Sequence, residues 1–267
     1  MTNKEHIETY LKRESEGIFN VDINPVNWDE CYPVTPDFPY IKHDFCTLFG
    51  DAIKTAFVIN PFSWHHNKFV MKTIVKGREN LKGIDSAIVT CNHVYIFDCL
   101  AIRHAMKHKI KFTAAEFNNR KGFLGNMMRA GGILPLSSKL TVLKQFNNAI
   151  EHHLLHDNYV VFYPEQAMWH MYEKPRPFKE GAFHYADKFD VPVIPTFITF
   201  RDSGKVDGEG LPIKYFTVHI MPPIYRDPSQ NRAENVKTMM DKNYQMCKAK
   251  YEEVYGKPLV YNIKEGK

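Results

Sequence analysis

The sequence predicts an α/β fold: a single domain with a largely parallel central sheet flanked by helices, plus an N-terminal helical region. From residue 84 onward, short apolar runs typical of buried strands alternate with stretches of helical periodicity. This alternation is typical of a parallel sheet with helical crossovers. The chain has 267 residues and is 44% hydrophobic and 24% charged, as in ordinary globular proteins. We expect a leader and helical region over 1–76 and the α/β domain over 77–267.

The predicted strands are runs of β-branched, aliphatic and aromatic residues bounded by polar or turn-forming residues. Their ranges are 87–90, 111–115, 133–136, 159–163, 193–200 and 216–221. Helices are predicted near residues 98–108, 121–130, 139–156 and 180–189, and a last one over about 232–255. In the third of these helices, Leu143, Phe146, Ile150 and Leu154 recur at spacings of three and four. That apolar stripe predicts packing against the sheet.

The N-terminal region is rich in aromatic residues. Residues 1–45 predict an irregular leader with one short helix near residues 4–15. Residues 48–76 predict two helical segments broken at Pro61, because proline lacks the N–H that a helix interior needs. Two interpretations of residues 48–76 remain open: a pair of helices packed on the core, or a pair that dips into a membrane interface.

Composition limits the compartment and the partners. The five cysteines are scattered and contain no Cys-X-X-Cys pair, which favours reduced thiols in a cytoplasmic protein. No apolar run reaches the ~18 residues of a transmembrane helix, and the polar N-terminus lacks a signal-peptide pattern. A net charge of +5 suits an anionic membrane surface or a phosphorylated substrate, and no motif for nucleic-acid binding occurs. We expect a cytoplasmic protein, with peripheral association at the inner face of the membrane as a further expectation.

The candidate catalytic residues are His93 and Asp98, which follow the predicted strand 87–90. A histidine acts as a base on one ring nitrogen when a carboxylate holds the other. Five residues along a continuous helix rotate two side chains about 140° apart. The pair can therefore meet only if His93 lies in the strand-to-helix turn and Asp98 opens the helix. The alternative is a histidine and a helix-capping aspartate that never touch.

Four short blocks, each beside the end or start of a predicted strand, carry polar and turn-forming residues. In chain order they are Asn92-His93 with Asp98, Gly125 with Gly132-Ile133-Leu134-Pro135, Tyr163-Pro164-Glu165, and Val191-Pro192-Val193-Ile194-Pro195. Their order and residues resemble the four motifs of the PlsC-like glycerolipid acyltransferase superfamily, typified by bacterial lysophosphatidic acid acyltransferase. The resemblance spans about residues 74–222, and residues 75–81 also look like the family's segment before its first motif.

Two positions depart from the family pattern. The third motif usually reads Phe-Pro-Glu-Gly-Thr-Arg, but Gln166-Ala167-Met168 follows Glu165 here, and Ser137 or Ser138 replaces the usual arginine of the second motif. In the family these arginines are associated with the phosphate of a glycerol phosphate acceptor, which suits the planar guanidinium. Either other basic residues bind that phosphate or the acceptor lacks it. The candidate basic residues are Arg120, Lys121, Arg129, Lys139 and Arg176.

The resemblance implies acyl transfer from a thioester donor, acyl-CoA or acyl carrier protein, to a hydroxyl of a lysophosphatidic-acid-like glycerolipid. It implies His93 as the general base and Asp98 as the residue that orients it, with no cofactor and no metal. The predicted substrate-binding residues are Glu165, Asn92, Gly125, Arg120 and Lys121. Backbone N–H groups near Gly125 are candidate oxyanion donors. Structural pairing of Glu165 with an arginine remains an alternative to acceptor binding.

Other functions remain open from the sequence. The acceptor could be a phosphate-free glycolipid, sugar, amine or secondary metabolite, and water in its place would make the protein a thioester hydrolase. A lipid- or partner-binding module without catalysis is a further alternative. No nucleophile elbow, P-loop or zinc-protease motif occurs. His152 and His156 have the i, i+4 spacing of a metal site, but exposed or helix-capping roles are the alternative.

Overall fold

One seven-stranded sheet organises the protein. The computed structural model describes residues 2–23 and 26–264, so the outermost residues of the two predicted regions and residues 24–25 lie outside the described part. The strands are β1 Ile74–Lys76, β2 Ala87–Cys91, β3 Ile110–Ala115, β4 Ile133–Leu136, β5 Tyr159–Phe162, β6 Val193–Val206 and β7 Pro212–Ile220. The α-helices are α1 Asn3–Ser15, α2 Phe45–Lys54, α3 Asn60–His65, α4 Asp98–Met106, α5 Gly122–Ala130, α6 Leu140–Leu155, α7 Gly181–Phe189 and α8 Arg232–Tyr255.

The sheet is largely parallel. The strand order is β1-β7-β6-β2-β5-β3-β4, and only the β6–β7 pair is antiparallel among the described strands. The strands β6, β2, β5, β3 and β4 therefore run in one direction and end at the same edge. This arrangement confirms the predicted α/β fold with a parallel sheet.

The core lies on both faces of the sheet. Along β2, Ala87 and Val89 contact a cluster that includes residues of α4, whereas Ile88 contacts a cluster that includes residues of α6, α7 and α8. All three side chains are fully buried. Successive strand residues point to opposite faces, so a strand covered on both sides reads as one continuous apolar run. The two faces explain why β2 shows no polar alternation in the sequence.

Residues 45–70, the N-terminal helical arm, differ from the prediction. The predicted break at Pro61 is wrong, because helical backbone runs through α2, a π-helical stretch Thr55–Ile59, α3 and a second π-helical stretch His66–Val70. Pro61 lies in the first turn of α3, directly after the wider π turns. A proline is tolerated there because the hydrogen-bond pattern has already been shifted ahead of it. No helix of the described residues is both long and apolar enough to cross a membrane.

The structure adds one strand to those predicted and lengthens two others, since β6 runs to Val206 and β7 begins at Pro212. Strand β1 was not predicted, and it pairs with β7 inside the region assigned to residues 1–76. Val34 and Tyr40 of the predicted leader are buried in the same cluster as α6 and α7. The division of the chain at residue 76 therefore stays a prediction, with both sides of it contributing to one core.

Candidate active site

The motif residues meet at the edge where the parallel strands end. His93 follows β2, Tyr163 follows β5, Glu116 follows β3 and Ser137 follows β4. Strand β5 lies next to β2, and β3 lies next to β5. Neighbouring strands are about 4.8 Å apart, so the loop after β3 begins about 10 Å from the end of β2. Functional groups of open α/β sheets gather at this edge.

His93 and Asp98 are in contact. The Nδ1 of His93 lies 2.8 Å from Oδ2 of Asp98, and the same oxygen accepts hydrogen bonds from the backbone N–H groups of Val94 (3.0 Å) and Tyr95 (3.3 Å). Asp98 is the first residue of α4, so His93 lies in the turn before the helix, as the spacing requires. The Asp98 side chain is 1% exposed and that of His93 is 25% exposed. The buried carboxylate thus fixes a histidine that reaches solvent.

Tyr163 completes this arrangement, and the sequence did not predict its role. Its hydroxyl donates to Oδ1 of Asp98 at 2.8 Å, and its ring stacks on that of His93 with centroids 4.1 Å apart. Burial first, and then the Asp98 carboxylate, raise the pKa of the Tyr163 hydroxyl well above its ordinary value. The hydroxyl therefore stays protonated and donates. The signal was present in the sequence, because Tyr163 stands where the family usually has phenylalanine.

Two cysteines lie close to the pair but are poor nucleophiles. Burial, followed by the charge of Asp98, raises the pKa of Cys91 well above its ordinary value and that of Cys99 to about 12. The reactive form of a cysteine is the thiolate, which these surroundings suppress. Neither cysteine therefore offers His93 an activated thiol.

Glu165 lies beneath the loop of His93 rather than at its open face. The carboxylate is 1% exposed and receives the backbone N–H and the guanidinium of Arg176, with Nη2 2.7 Å from Oε2. Oε2 also accepts the backbone N–H of His93 at 3.3 Å. The structural alternative, pairing with an arginine, is the one the structure shows. Arg176 is likewise 1% exposed and fully engaged, so it is not a free phosphate ligand.

Asn92 also has structural contacts. Its side chain donates to the carbonyl of Ile198 at 3.0 Å and accepts the N–H of the same residue at 2.8 Å. Asn92 is 1% exposed. These two bonds extend the pairing of β2 with β6 by one residue and hold the start of the His93 turn. Direct contact of Asn92 with a substrate would require this pairing to open.

The loop after Glu165 covers the back of the His93 turn. Trp169 N–H donates to the carbonyl of His93 at 3.0 Å, and Met171 N–H donates to that of Val94 at 2.8 Å. Gln166, which replaces the family's glycine, has φ 66°, the left-handed conformation that glycine adopts most easily. A glycine at this position would adopt the same backbone without a Cβ penalty.

The predicted residues Arg120, Lys121 and Gly125 lie in the loop and helix after β3. Lys121 donates from Nζ to the carbonyl of Asp29 at 2.9 Å, which turns it toward the leader. A Cβ on Gly125 would lie 1.6 Å from the carbonyl oxygen of Arg120, so glycine permits the close approach of α5 to this loop. No hydrogen bond or ion pair joins these three residues to His93 or Asp98.

The remaining candidates for phosphate binding differ in availability. Arg129 is engaged with Asn119, Asn126 and the carbonyl of Arg120. Lys139 is exposed at the end of the loop after β4. Ser137, at the position of a family arginine, is buried and donates to Glu116 at 2.9 Å. Of the five basic candidates, Lys139 and Arg120 have side chains that make no hydrogen bond or ion pair with the described residues.

The alternative metal site is not formed in the described residues. Nδ1 of His156 contacts the carbonyl of His152 at 2.7 Å, the helix-capping role. Among residues 2–23 and 26–264, no group of three or more histidine, cysteine or acidic side chains is arranged to hold a metal ion.

Comparisons with known proteins agree with the fold and the motifs. A family model described as Acyltransferase matches residues 72–199. A 1-acyl-sn-glycerol-3-phosphate acyltransferase of Saccharomyces cerevisiae is 25% identical over 159 residues, which cover 58% of this chain and 52% of the relative. The chain thus spans about half the length of that curated relative.

A solved structure has the same fold. The 1-acyl-sn-glycerophosphate acyltransferase PlsC from Thermotoga maritima matches with a TM-score of 0.54 and 16% identity, over 80% of this chain and 96% of that one. The matched family model includes the first and third motifs, with His93, Asp98 and Glu165, and ends within β6. In sequence, motifs and fold the chain is thus similar to the PlsC-like acyltransferases, and its residues 72–199 match the Acyltransferase family model.

Proposed function

We propose that this protein is an O-acyltransferase that moves a fatty acyl group from a thioester donor to a hydroxyl of a lysophosphatidic-acid-like glycerolipid. The donor class is acyl-CoA or acyl carrier protein. The observation that carries the proposal is the contact of His93 Nδ1 with a buried, three-times hydrogen-bonded carboxylate oxygen. The other ring nitrogen of His93, Nε2, has no hydrogen-bond partner among the described residues, and the His93 side chain is partly exposed.

His93 acts as the general base. The acceptor hydroxyl attacks the thioester carbonyl carbon while Nε2 takes its proton, and the C–O bond forms as negative charge develops on the carbonyl oxygen. The tetrahedral intermediate then collapses, the C–S bond breaks, and His93 returns the proton to the leaving sulfur. Asp98 holds Nδ1–H and stabilises the imidazolium between these steps. A positioned base contributes about 10²–10⁴-fold to the rate.

Glu165, Arg176 and Asn92 position this machinery. They hold the backbone on both sides of His93 through buried contacts, which supports a role in orienting the base rather than in gripping the acceptor. Rigid support of this kind matters because proton transfer requires the donor and acceptor within about 3 Å.

His93→Ala tests the assignment of the base. We expect transfer of a labelled acyl group from acyl-CoA to lysophosphatidic acid to fall by at least about 10²-fold while the thermal unfolding midpoint changes little. His108→Ala is the matched control, because its ring is also stacked on a tyrosine, Tyr159, but lies at the opposite end of β5. Retained turnover in His93→Ala would refute the assignment.

The acceptor is tested by product analysis. Arg129 donates to a backbone carbonyl and Arg176 is paired with Glu165, so neither is free to bind a phosphate. Phosphate-free acceptors should therefore be tested beside lysophosphatidic acid. Mass spectrometry of products from phosphate-bearing and phosphate-free acceptors separates the two. Release of free fatty acid with no acylated product would instead assign a thioester hydrolase.

We also propose that the N-terminal helical arm contacts a membrane interface. Large apolar side chains stand out from it, including Phe45 (75% exposed), Phe49 (57%) and Phe57 (76%). Phe123 and Leu124 at the start of α5 are also exposed, and α2 packs against α5. An apolar surface of this kind on one segment is typical of interfacial helices.

Vesicle sedimentation tests the arm. We expect binding to vesicles of phosphatidylcholine with phosphatidylglycerol, and a loss of several-fold when Phe49 and Phe57 are both changed to serine. The control is Leu155→Ser, since Leu155 is 75% exposed at the end of α6 and is not part of the arm. Equal recovery of the wild type in the supernatant with and without vesicles would contradict the proposal.

A further inference from the structure

A cavity lies at the opposite edge of the sheet from His93. We call it the basic pocket. It has a volume of about 310 Å³, and apolar side chains of the leader, of α2 and of β4 line it together with polar ones. The charged and imidazole side chains in the lining are Lys42, Asp51, Lys109, Lys111, Arg129, His152, His153 and His156. Lys109 precedes β3 and Lys111 is its second residue, so the pocket lies where the parallel strands begin. The six residues of β3 at about 3.3 Å each place this edge about 20 Å from the edge of His93.

The positive charge of the basic pocket exceeds the negative charge of the one carboxylate in its lining. Asp51 is the single carboxylate in the lining, and it already forms ion pairs with Lys42 and Lys54. No carboxylate of residues 2–23 and 26–264 lies within ion-pair distance of Lys109 or Lys111. Lys109 and Lys111 therefore line this cavity without an ion-pair partner.

The end of α6 does not balance them either. A helix C-terminus carries partial negative charge on its free carbonyl groups. Here those carbonyls already accept hydrogen bonds: that of His152 from His156, that of His153 from Asn158, and that of Leu154 from Ser86. These carbonyls are thus hydrogen-bonded to Ser86, His156 and Asn158 rather than to the lysines, so the pocket keeps an excess of basic over acidic side chains.

The titration of the lining groups agrees with this excess. Burial lowers the pKa of Lys111, and the nearby charges of Lys42 and Arg103 lower it further, while the charge of Asp51 acts in the opposite direction. Burial lowers the pKa of His153 to about 4, and the charge of Lys111 acts in the same direction. Cationic groups that suppress one another's charge regain it when an anion enters among them.

We propose that the basic pocket binds a phosphate group, carried either by a soluble phosphate ester or by a phospholipid headgroup. A phosphate dianion matches two ammonium groups and accepts a hydrogen bond from the imidazole of His152, whereas Nε2 of His153 already donates to the carbonyl of Tyr40 at 3.2 Å. The apolar wall of Phe38, Leu48 and Ile133 contacts the organic part of the ligand. This site is separate from the proposed acyl transfer, so its failure leaves that proposal standing.

Phosphate titration tests the site on the full chain, with inorganic phosphate as the probe against chloride at equal ionic strength. Calorimetry and the thermal unfolding midpoint are both followed. We expect saturable binding by the wild type, at least about tenfold weaker in Lys111→Met, because one charge-assisted hydrogen bond is lost. Lys109→Gln should weaken binding several-fold, and this exposed position keeps the test valid if Lys111→Met does not fold. Lys188→Gln, an exposed lysine on α7, is the control and should bind as the wild type does.

Binding to vesicles distinguishes the two sources of phosphate. Loss of binding to vesicles containing phosphatidic acid in Lys111→Met assigns a lipid headgroup, whereas unchanged vesicle binding with lost phosphate binding assigns a soluble ester. The proposal is overturned if the wild type shows no saturable response to phosphate, or if both lysine variants bind phosphate with wild-type affinity.

Discussion

Replacing Tyr163 with phenylalanine removes one hydroxyl from the candidate active site and leaves the stacked ring in place. In the wild type that hydroxyl donates to Oδ1 of Asp98 at 2.8 Å. The other carboxylate oxygen of Asp98 keeps its contacts with His93 and two backbone N–H groups. The variant therefore leaves one buried, charged oxygen without a partner while the His93 contact remains.

The magnitude follows from the burial of Asp98. A hydrogen bond to a charged group contributes about 1.5–3 kcal/mol, and the loss lies toward the upper end when the acceptor stays buried and unpaired. Asp98 is 1% exposed. We therefore expect the free energy of unfolding to fall by about 2–3 kcal/mol, or roughly 5–10 °C in the unfolding midpoint of a domain this size. If half of that energy holds the carboxylate on the imidazolium in the transition state, kcat falls about tenfold.

The assay combines chemical denaturation with steady-state acyl transfer over a range of pH. Tyr159→Phe is a matched control, because Tyr159 begins the same strand β5 and donates to a backbone carbonyl, that of Ile84, also at 2.8 Å. Both variants should lose stability, but only Tyr163→Phe should lower kcat and alter its pH dependence. If Tyr163→Phe kept wild-type kcat and the wild-type pH profile, the hydroxyl would have no positioning role.

Three further predictions concern two residues that support the His93 turn and one buried histidine, His219. Glu165→Gln should lower the free energy of unfolding by about 3–5 kcal/mol, because Arg176 is left charged and buried. Unchanged stability with a raised acceptor KM would instead indicate direct acceptor binding. Gln166→Gly should raise the free energy of unfolding by about 0.5–1 kcal/mol, since φ 66° is strained for glutamine, and denaturant titration measures it. Burial lowers the pKa of His219 to about 4, so as pH falls from about 6.5 the unfolded chain takes up the proton first and about 2–3 kcal/mol of stability is lost. His219→Gln should flatten that part of the pH–stability curve, and an unchanged slope between pH 7 and 5 would contradict it.

Local pattern was sufficient for the buried central strands and for the contact between His93 and Asp98. The apolar runs at β2 and β5 can be read because both faces of these strands are buried, which leaves a continuous apolar signature. His93 and Asp98 could be predicted to meet because the distance along the chain allows contact only across a strand-to-helix turn. The structure has that turn, with Asp98 as the first helical residue.

Local sequence pattern did not predict two features, strand β1 and the continuous helical arm. Strand β1 has three residues and no periodicity of its own, and its place depends on β7, more than 130 residues later. The helical arm continues past Pro61 because π turns precede the proline, and no residue type marks such turns in a sequence.

The residue types of the motifs were visible in the chain, but their accessibility was not. An acidic residue at a strand end suits substrate binding until the fold places Arg176 against Glu165 and removes both from solvent. Tyr163 looked like a conservative replacement of phenylalanine until its hydroxyl was found on Asp98. The sequence therefore carried the chemistry of His93 and Asp98, which depends on residue type and short spacing. The fold assigned the partners of Glu165, Arg176 and Tyr163, because burial and pairing arise from segments that are distant along the chain and meet only when the sheet assembles.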